Sequence, residues 1–460
     1  MTLGCKVNQY DAEQLREQFE RADFETVSFE TTADAYVIAS CAVTGEAAAK
    51  TRRMVRRARR KNSGAVVALL GCYPQAVLGH GGDAEEEDRL RQLPADLVSG
   101  VGERESIVSS VKELIERRGA SDHRRIPDPW RDPPDSIEHD DGISNFDEHT
   151  RAFVKIQDGC DQFCSYCLIP HLRGPLRARR SDDILRQAQQ LIRAGHREIV
   201  LTGIHLGAYE RSSGADATLA NLVESLCSIS GNWRLRLSSL EPMDVEEDLF
   251  ETLAQSRRAA PHLHLPLQHG SDAVLREMAR PYSSGDFRQL IVRLRELIPG
   301  VGVSTDVMVG FPGENDSDHR QNLEFVREIR FSRLHVFPYS RRPGTRATEM
   351  EGEVPPEVKR RRRDDMLKLG RLCSSRFHEM QVGKMVEVLV ERSVDGAEEI
   401  PVAGVTAAGE IYHGYSGNYV PVWFSSSSRA DLTGELWCVE ITEACSEGCW
   451  GQGVGPSSLE

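Results

Sequence analysis

The chain has 460 residues, with 71 acidic against 57 basic side chains, a net charge of -14, and 39% apolar and 28% charged residues. That length asks for about three domains; the composition excludes extended disorder, and no apolar run approaches the roughly 18 residues of a membrane span, so no membrane association is expected. The acidic balance argues against a protein that coats nucleic acid through its overall field, and the first residues lack a signal-peptide pattern, so a cytoplasmic location is expected, where the 11 cysteines read as metal ligands or catalytic groups rather than disulfides.

Residues 1–118 alternate β-rich runs with helical patterns: a strand end at Met1–Gly4, strands at Ala35–Ser40 and Val66–Leu70, and helices through Glu46–Lys61 and Ile107–Arg118. The alternation predicts a parallel α/β domain. Acidic clusters at Glu85–Asp88 and Asp135–Glu148 read as loops, and residues 119–150, with Pro127, Pro129, Pro133 and Pro134, as an acidic linker. Two basic runs, Lys50–Lys61 and Lys359–Arg363, are candidate contacts to a polyanion, with solvated helix faces as the plain alternative.

From residue 151 to 380 the units lengthen. Strands are expected at Phe153–Ile156, Glu198–Leu201, Arg234–Leu237, His262–Leu265, Val303–Val309 and Leu334–Phe337, with a helix after each of the first five. Six such strands predict an incomplete parallel barrel, whose chemistry belongs at the C-terminal strand ends. Residues 381–445 carry short strands at Met385–Val390, Tyr419–Phe424 and Trp437–Ile441, the pattern of a small antiparallel β-barrel, and leave residues 446–460 as a tail.

Cys160, Cys164 and Cys167 form a C-x3-C-x2-C pattern in the loop after the first barrel strand. Three thiolates in one loop do not complete a zinc tetrahedron, but they hold three irons of a 4Fe-4S cluster and leave the fourth open; a zinc knuckle with a distant fourth ligand is the alternative. Cys5, Cys41 and Cys72 are distant in sequence, yet each follows an expected strand, and in an open parallel sheet such strand ends converge on one crevice. That suffices for a second cluster, against the alternative of cysteines buried as small hydrophobes. Cys227, Cys373, Cys438, Cys445 and Cys449 match no motif and read as structural, although the CSEGC spacing of the last two suits adventitious metal.

The stretch CDQFCSYC resembles the signature of radical S-adenosylmethionine (SAM) enzymes. With TLGCKVNQYDAE, SCAVTGEAAAKTRR and GCYPQ, nearly the whole chain resembles the radical SAM methylthiotransferases. That resemblance implies two 4Fe-4S clusters, one on Cys160, Cys164 and Cys167 that makes the radical and an auxiliary one on Cys5, Cys41 and Cys72 that serves sulfur insertion. It implies SAM contacts at Tyr166, Thr202, Gly203, Ser239, Glu241, Gly310 and Glu314, read from CSYC, LTG, RLSSLEP and VMVGFPGE. It names no further catalytic side chain. The C-terminal segment resembles the RNA-binding TRAM barrel, and Arg52, Arg53, Arg56 and Arg57 are the expected tRNA contacts. LGCKVNQY, RGPLRARR and HVFPYSRRPGTRA best match the subfamily acting on N6-threonylcarbamoyladenosine at position 37 of tRNA, beside the anticodon; isopentenyladenosine in tRNA or a ribosomal-protein aspartate are the alternatives within the family, and a non-catalytic Fe-S RNA-binding protein is the alternative outside it. The implied partners are the tRNA anticodon stem-loop, an electron donor such as flavodoxin or ferredoxin, and a sulfur source. Two departures stand out: the family carries more residues before TLGC, so the first strand is expected to be weak, and His269 stands where serine is usual, read as a loop histidine.

Overall fold

A computed structural model describes residues 1–79, 84–102, 106–117, 142–146, 149–212, 214–394, 400–402, 409–428 and 430–459. Near the N-terminus, strands β1 (Ala35–Ser40), β2 (Val66–Gly71) and β3 (Leu97–Ser99) form a parallel sheet in the order β1-β2-β3. Its central strand is aliphatic on both faces because helices cover both. Val66, Ala68 and Leu70 pack with Leu15, Phe19, Ile107 and Val111 of helices Lys6–Arg21 and Ile107–Glu116, while Val67 and Leu69 pack with Met54, Val55 and Ala58 of helix Gly45–Lys61. The expected Met1–Gly4 strand is reduced to one parallel bridge, Thr2 to Ala39, beyond β1. Asn8 pins that segment by donating to the Ser40 carbonyl at 3.3 Å.

The acidic run 85–88, expected as a loop, lies instead in helix Ala84–Arg91. It lacks an apolar stripe, and pairs such as Arg91–Glu87 at (i, i+4) and Arg52–Glu86 across elements support it. Most of the expected linker and of the second acidic cluster lies outside the described residues, although Ile143 and Phe146 are buried in the central core.

That core belongs to six parallel strands, β4 (Arg151–Lys155), β7 (Glu198–Thr202), β8 (Arg234–Leu237), β9 (His262–His264), β10 (Gly302–Val309) and β11 (Arg333–Pro338). They form two three-stranded sheets, β4-β7-β8 and β9-β10-β11, joined by bridges Leu235–Ala259 and Ser239–His264. Among the described residues nothing pairs β4 with β11, so the barrel is incomplete. A short hairpin of β5 (Gln157–Asp158) and β6 (Arg177–Ala178) follows β4.

The C-terminal segment closes as a five-stranded barrel in the order β12 (Met385–Ser393), β13 (Glu410–Ser416), β14 (Pro421–Ser426), β16 (Cys449–Pro456) and β15 (Leu436–Ala444). Two corrections follow. Residues 446–460 are not a tail, because β16 closes this barrel, and it does so by pairing parallel to β14, so the barrel is not wholly antiparallel. Cys449 is accordingly buried within it, and the Cys445–Cys449 segment is part of the barrel rather than a loose end.

This small barrel stoppers the N-terminal mouth of the larger one. Arg236 donates to the Gly417 carbonyl at 3.0 Å and Arg234 to that of Tyr415 at 2.9 Å. Tyr419, in the left-handed region at φ 68°, stacks on His262 with ring centroids 4.8 Å apart. Glu198 beneath them joins Arg151, Arg234 and Arg236. No helix among the described residues is long and apolar enough to cross a membrane.

Candidate active site

The Cys160 loop leaves the barrel through Gly159, whose φ of 78° and approach to the Pro175 carbonyl leave no room for a Cβ. Cys160 N–H donates to the Gly174 carbonyl and Cys167 N–H to that of Cys164, which coils the loop tightly. Each sulfur also accepts a donor: Gln162 N–H to Cys160 Sγ and Ile169 N–H to Cys167 Sγ, both at 3.4 Å, and Arg280 to Cys164 Sγ at 3.3 Å. Burial pushes the Cys160 and Cys167 thiols up to about 12, and the neighbouring sulfurs push the same way. Thiols so placed ionise only for a strongly cationic partner, which a metal centre is. Three converging sulfurs with N–H donors aimed at them fit a 4Fe-4S cluster. A separate trio, Cys160 with Asp161 and His205, has ligand atoms within 4.8 Å of one another and leaves Cys164 and Cys167 unused.

Cys5, Cys41 and Cys72 likewise meet at the ends of the Thr2 segment, β1 and β2. A Cβ on Gly4 would lie 3.2 Å from Cys41 Sγ, so only glycine lets the first segment pass this close. Burial pushes Cys72 up to about 11, and Cys5 and Cys41 are near enough to add to it. Val43 N–H donates to Cys41 Sγ at 3.5 Å. From the larger barrel, the Arg342 guanidinium stands beside Cys41, its Nε donating to the Val43 carbonyl at 3.4 Å. Leu168 and Leu172, directly after Cys167, pack in one apolar cluster with Cys72 and Ala42, so the two cysteine-bearing segments are neighbours in the fold.

Comparison with known proteins agrees with this geometry. Residues 154–326 match the model of the radical SAM superfamily and residues 1–88 that of uncharacterized protein family UPF0004. The threonylcarbamoyladenosine tRNA methylthiotransferase MtaB of Bacillus subtilis is 35% identical over 449 residues, covering 96% of this chain and 93% of that protein. The chain belongs to the radical SAM methylthiotransferase family. The Thermotoga maritima protein of the same name is 35% identical over 85% of each chain, and a tRNA-2-methylthio-N(6)-dimethylallyladenosine synthase of Carboxydothermus hydrogenoformans is 32% identical over 96% of each. Among solved structures, a radical SAM methyltransferase, TsrM, from Kitasatospora setae shares the fold, with a TM-score of 0.51 at 14% identity over 74% of this chain and 69% of that one. As a member of this family the protein is a transferase that uses SAM and 4Fe-4S clusters.

The residues expected to hold SAM in this methylthiotransferase fall into two groups. Tyr166 packs on Phe311 and Tyr339 beside the cluster loop. Thr202 ends β7, and at Gly203 a Cβ would meet Gln157 Oε1 at 3.0 Å, so the turn stays close to the cluster loop. Ser239 bridges to His264, and the neighbouring Ser238 hydroxyl is buried without a partner among the described residues, as a ligand-facing group would be. Glu241 and Glu314 are otherwise engaged. Glu241 is ion-paired with Arg280, the residue that also reaches Cys164. Glu314 is turned inward, with one carboxylate oxygen accepting the Gly310 and Phe311 N–H groups, so it shapes the glycine turn. Gly310 takes φ 72°, with the Lys359 side chain filling the space a Cβ would need. His269, read as a loop histidine, is fully buried 3.8 Å from Glu314.

Three residues escaped the sequence reading. His205, three positions after Thr202, is buried with Nε2 2.5 Å from Asp244 Oδ2 and Nδ1 3.7 Å from Cys160 Sγ. Arg280 has no motif to mark it. Lys6, beside Cys5, lies in electrostatic reach of Tyr419, Arg236 and Arg151, and of His262 and His335 inside the barrel; burial lowers its pKa, and no hydrogen bond or ion pair holds its ammonium among the described residues. Of the four expected tRNA contacts, Arg52 is paired with Glu86 and Arg57 with Glu30, while Arg53 and Arg56 are exposed and unpaired among the described residues.

Proposed function

We propose that this protein converts N6-threonylcarbamoyladenosine beside the tRNA anticodon to its 2-methylthio derivative. The curated relatives named for that nucleoside support this reading, and one observation favours it over isopentenyladenosine. Lys6 lies within electrostatic reach of Arg236 and His335, and His335 of His264, whose Nε2 is 3.4 Å from Asp306. An unpaired lysine among other cations suits a substrate arm that ends in a carboxylate, whereas an isopentenyl arm asks for apolar walls.

When bound, SAM and the two clusters supply the radical, the sulfur and the methyl group. The chain's own residues do the positioning. Cys160, Cys164 and Cys167 on one side and Cys5, Cys41 and Cys72 on the other are the ligands of the two centres. Tyr166, Gly203 and the Gly310 turn shape the SAM cradle, and Ser238 and Ser239 offer it polar contacts. Lys6 orients the carboxylate arm, and Tyr419 with the small barrel closes the floor against water. Arg53, Arg56 and the C-terminal barrel, which we read as a TRAM-like RNA-binding module, hold the anticodon stem-loop, whose unstacked bases are accessible in the way sequence-specific RNA recognition needs. A flavodoxin- or ferredoxin-like donor supplies electrons and an external source supplies sulfur, in the cytoplasm.

Nucleoside mass spectrometry of tRNA from a host lacking its own enzyme tests the reading. Expression of this chain should add the 2-methylthio derivative of threonylcarbamoyladenosine. Appearance of only the methylthio-isopentenyl nucleoside, or of neither, would overturn it.

A further inference from the structure

One buried guanidinium joins the Cys164 sulfur to Glu241. It is placed by the end of helix Asp272–Glu277, which closes in a Schellman turn: Ala279 takes φ 56°, the left-handed conformation usual for glycine, and the N–H groups of Ala279 and Arg280 donate back to the Arg276 and Leu275 carbonyls at 3.0 and 2.9 Å. The next two carbonyls accept from the cysteine loop. The Ser165 hydroxyl donates to the Glu277 carbonyl at 2.7 Å, and the Ser165 N–H to that of Met278 at 3.1 Å. The reversal that hooks the loop thus also delivers Arg280 to Cys164.

All three nitrogens of that guanidinium have partners. Nε donates to the Tyr282 hydroxyl at 3.1 Å and Nη1 to Cys164 Sγ at 3.3 Å, while Nη2 is ion-paired with Glu241. Tyr282 is itself fixed, its hydroxyl shared between the Pro266 and Leu267 carbonyls at 2.9 and 3.0 Å, so the fork is held against the sulfur. The three sulfurs of the loop are therefore unlike. Cys160 and Cys167 accept backbone N–H groups, whereas Cys164 accepts from a cation whose side chain is 1% exposed and which water screens little.

We propose that Arg280 is a positioning residue that sets the reduction potential of the radical centre through the Cys164 sulfur, with Glu241 as the opposing charge. The inference rests on the reading of Cys160, Cys164 and Cys167 as cluster ligands. A charged donor at a ligand sulfur draws electron density from the cluster and stabilises its reduced form. The Glu241 carboxylate offsets part of that charge, so the two residues act on the potential with opposite signs. Lysine, a point charge without the planar fork, does not serve Tyr282, Cys164 and Glu241 at once.

The test begins with a full-length chain carrying Cys5, Cys41 and Cys72→Ala, reconstituted anaerobically so that only the radical centre loads, and titrated by electron paramagnetic resonance without SAM. In that background R280Q, which drops the charge but keeps an N–H donor, should lower the reduced-to-oxidised ratio at fixed potential about tenfold, roughly 59 mV of midpoint for one electron. E241Q should move the midpoint upward, and R280K should fall between R280Q and the unmodified residue. A merely structural role gives no such opposition of sign. If circular dichroism shows that R280Q does not fold, E241Q decides: a raised midpoint supports the proposal, and an unchanged or lowered one overturns it. A folded, iron-loaded R280Q with an unchanged midpoint overturns the role of Arg280 alone. A Cys5, Cys41 and Cys72→Ala chain that keeps Arg280 yet loads no iron overturns the reading of Cys160, Cys164 and Cys167, and this inference with it.

Discussion

Glu314, expected from the resemblance as a SAM contact, also serves the backbone. Its carboxylate is fully buried, holds the Gly310 and Phe311 N–H groups and stands 3.3 Å from Arg362. E314A strands the buried Gly310 and Phe311 N–H groups and takes one of two carboxylates from Arg362, which keeps Asp316 at 2.9 Å, so the cofactor-free protein should lose about 1–3 kcal/mol in urea denaturation, whereas a residue that met only SAM would leave cofactor-free stability unchanged. Glu198 makes the matching case on the barrel floor. Burial opposes its charge, but Arg236, Arg234 and Arg151 outweigh burial and hold its carboxyl well below the usual range. A carboxyl depressed on folding stabilises above its unfolded pKa near 4.5 and loses that stabilisation as pH falls through the folded value. Stability measured by circular dichroism should therefore fall on acidification below about pH 4.5, and E198Q should be less stable at neutral pH with a flatter acid limb. An E198Q profile parallel to the unmodified one would remove Glu198 from the account.

At the scale of elements, what was legible followed from local pattern. The six barrel strands are aliphatic runs punctuated by glycine and polar turns, and each lies within a few residues of its expected span. Strands β13 (EIYHGYS) and β16 (CWGQGVGP) were missed because glycine and polar residues dilute their alternation, and helix Ala84–Arg91 because ion pairs rather than an apolar stripe support it. The cysteine triads were legible because strand ends set them, while His205 and Arg280 were not, since their partners lie 39 and 116 residues away in sequence. Helix Gly45–Lys61 carries a prediction of its own. Substituting Arg53 and Arg56 by Gln should flatten the salt dependence of tRNA binding by about one to two units of log–log slope, because only unpaired cations are free to neutralise phosphates. Substituting Arg52 and Arg57 should act mainly on stability, through lost pairs to Glu86 and Glu30. Equal slopes for both pairs would return the whole helix to the status of a solvated face.

Across the whole molecule, the C-terminal barrel is both a candidate RNA module and a structural stopper, because Arg151, Arg234 and Arg236 around Glu198 take partners from it, including Glu391, Glu387 and the Ser416–Gly417 carbonyls. Deleting residues 381–460 should therefore weaken tRNA binding and also destabilise the larger barrel, so SAM cleavage should fall in thermal-melt-matched assays rather than survive intact. On the reading proposed above, the two cysteine triads divide the chemistry. Folded, reconstituted Cys41→Ala, assayed anaerobically for 5'-deoxyadenosine and for methylthiolated nucleoside, tests this most directly: the radical site should still cleave SAM while the methylthio product disappears, and retention of methylthiolation near the unmodified level would contradict the assignment of the N-terminal triad to sulfur insertion.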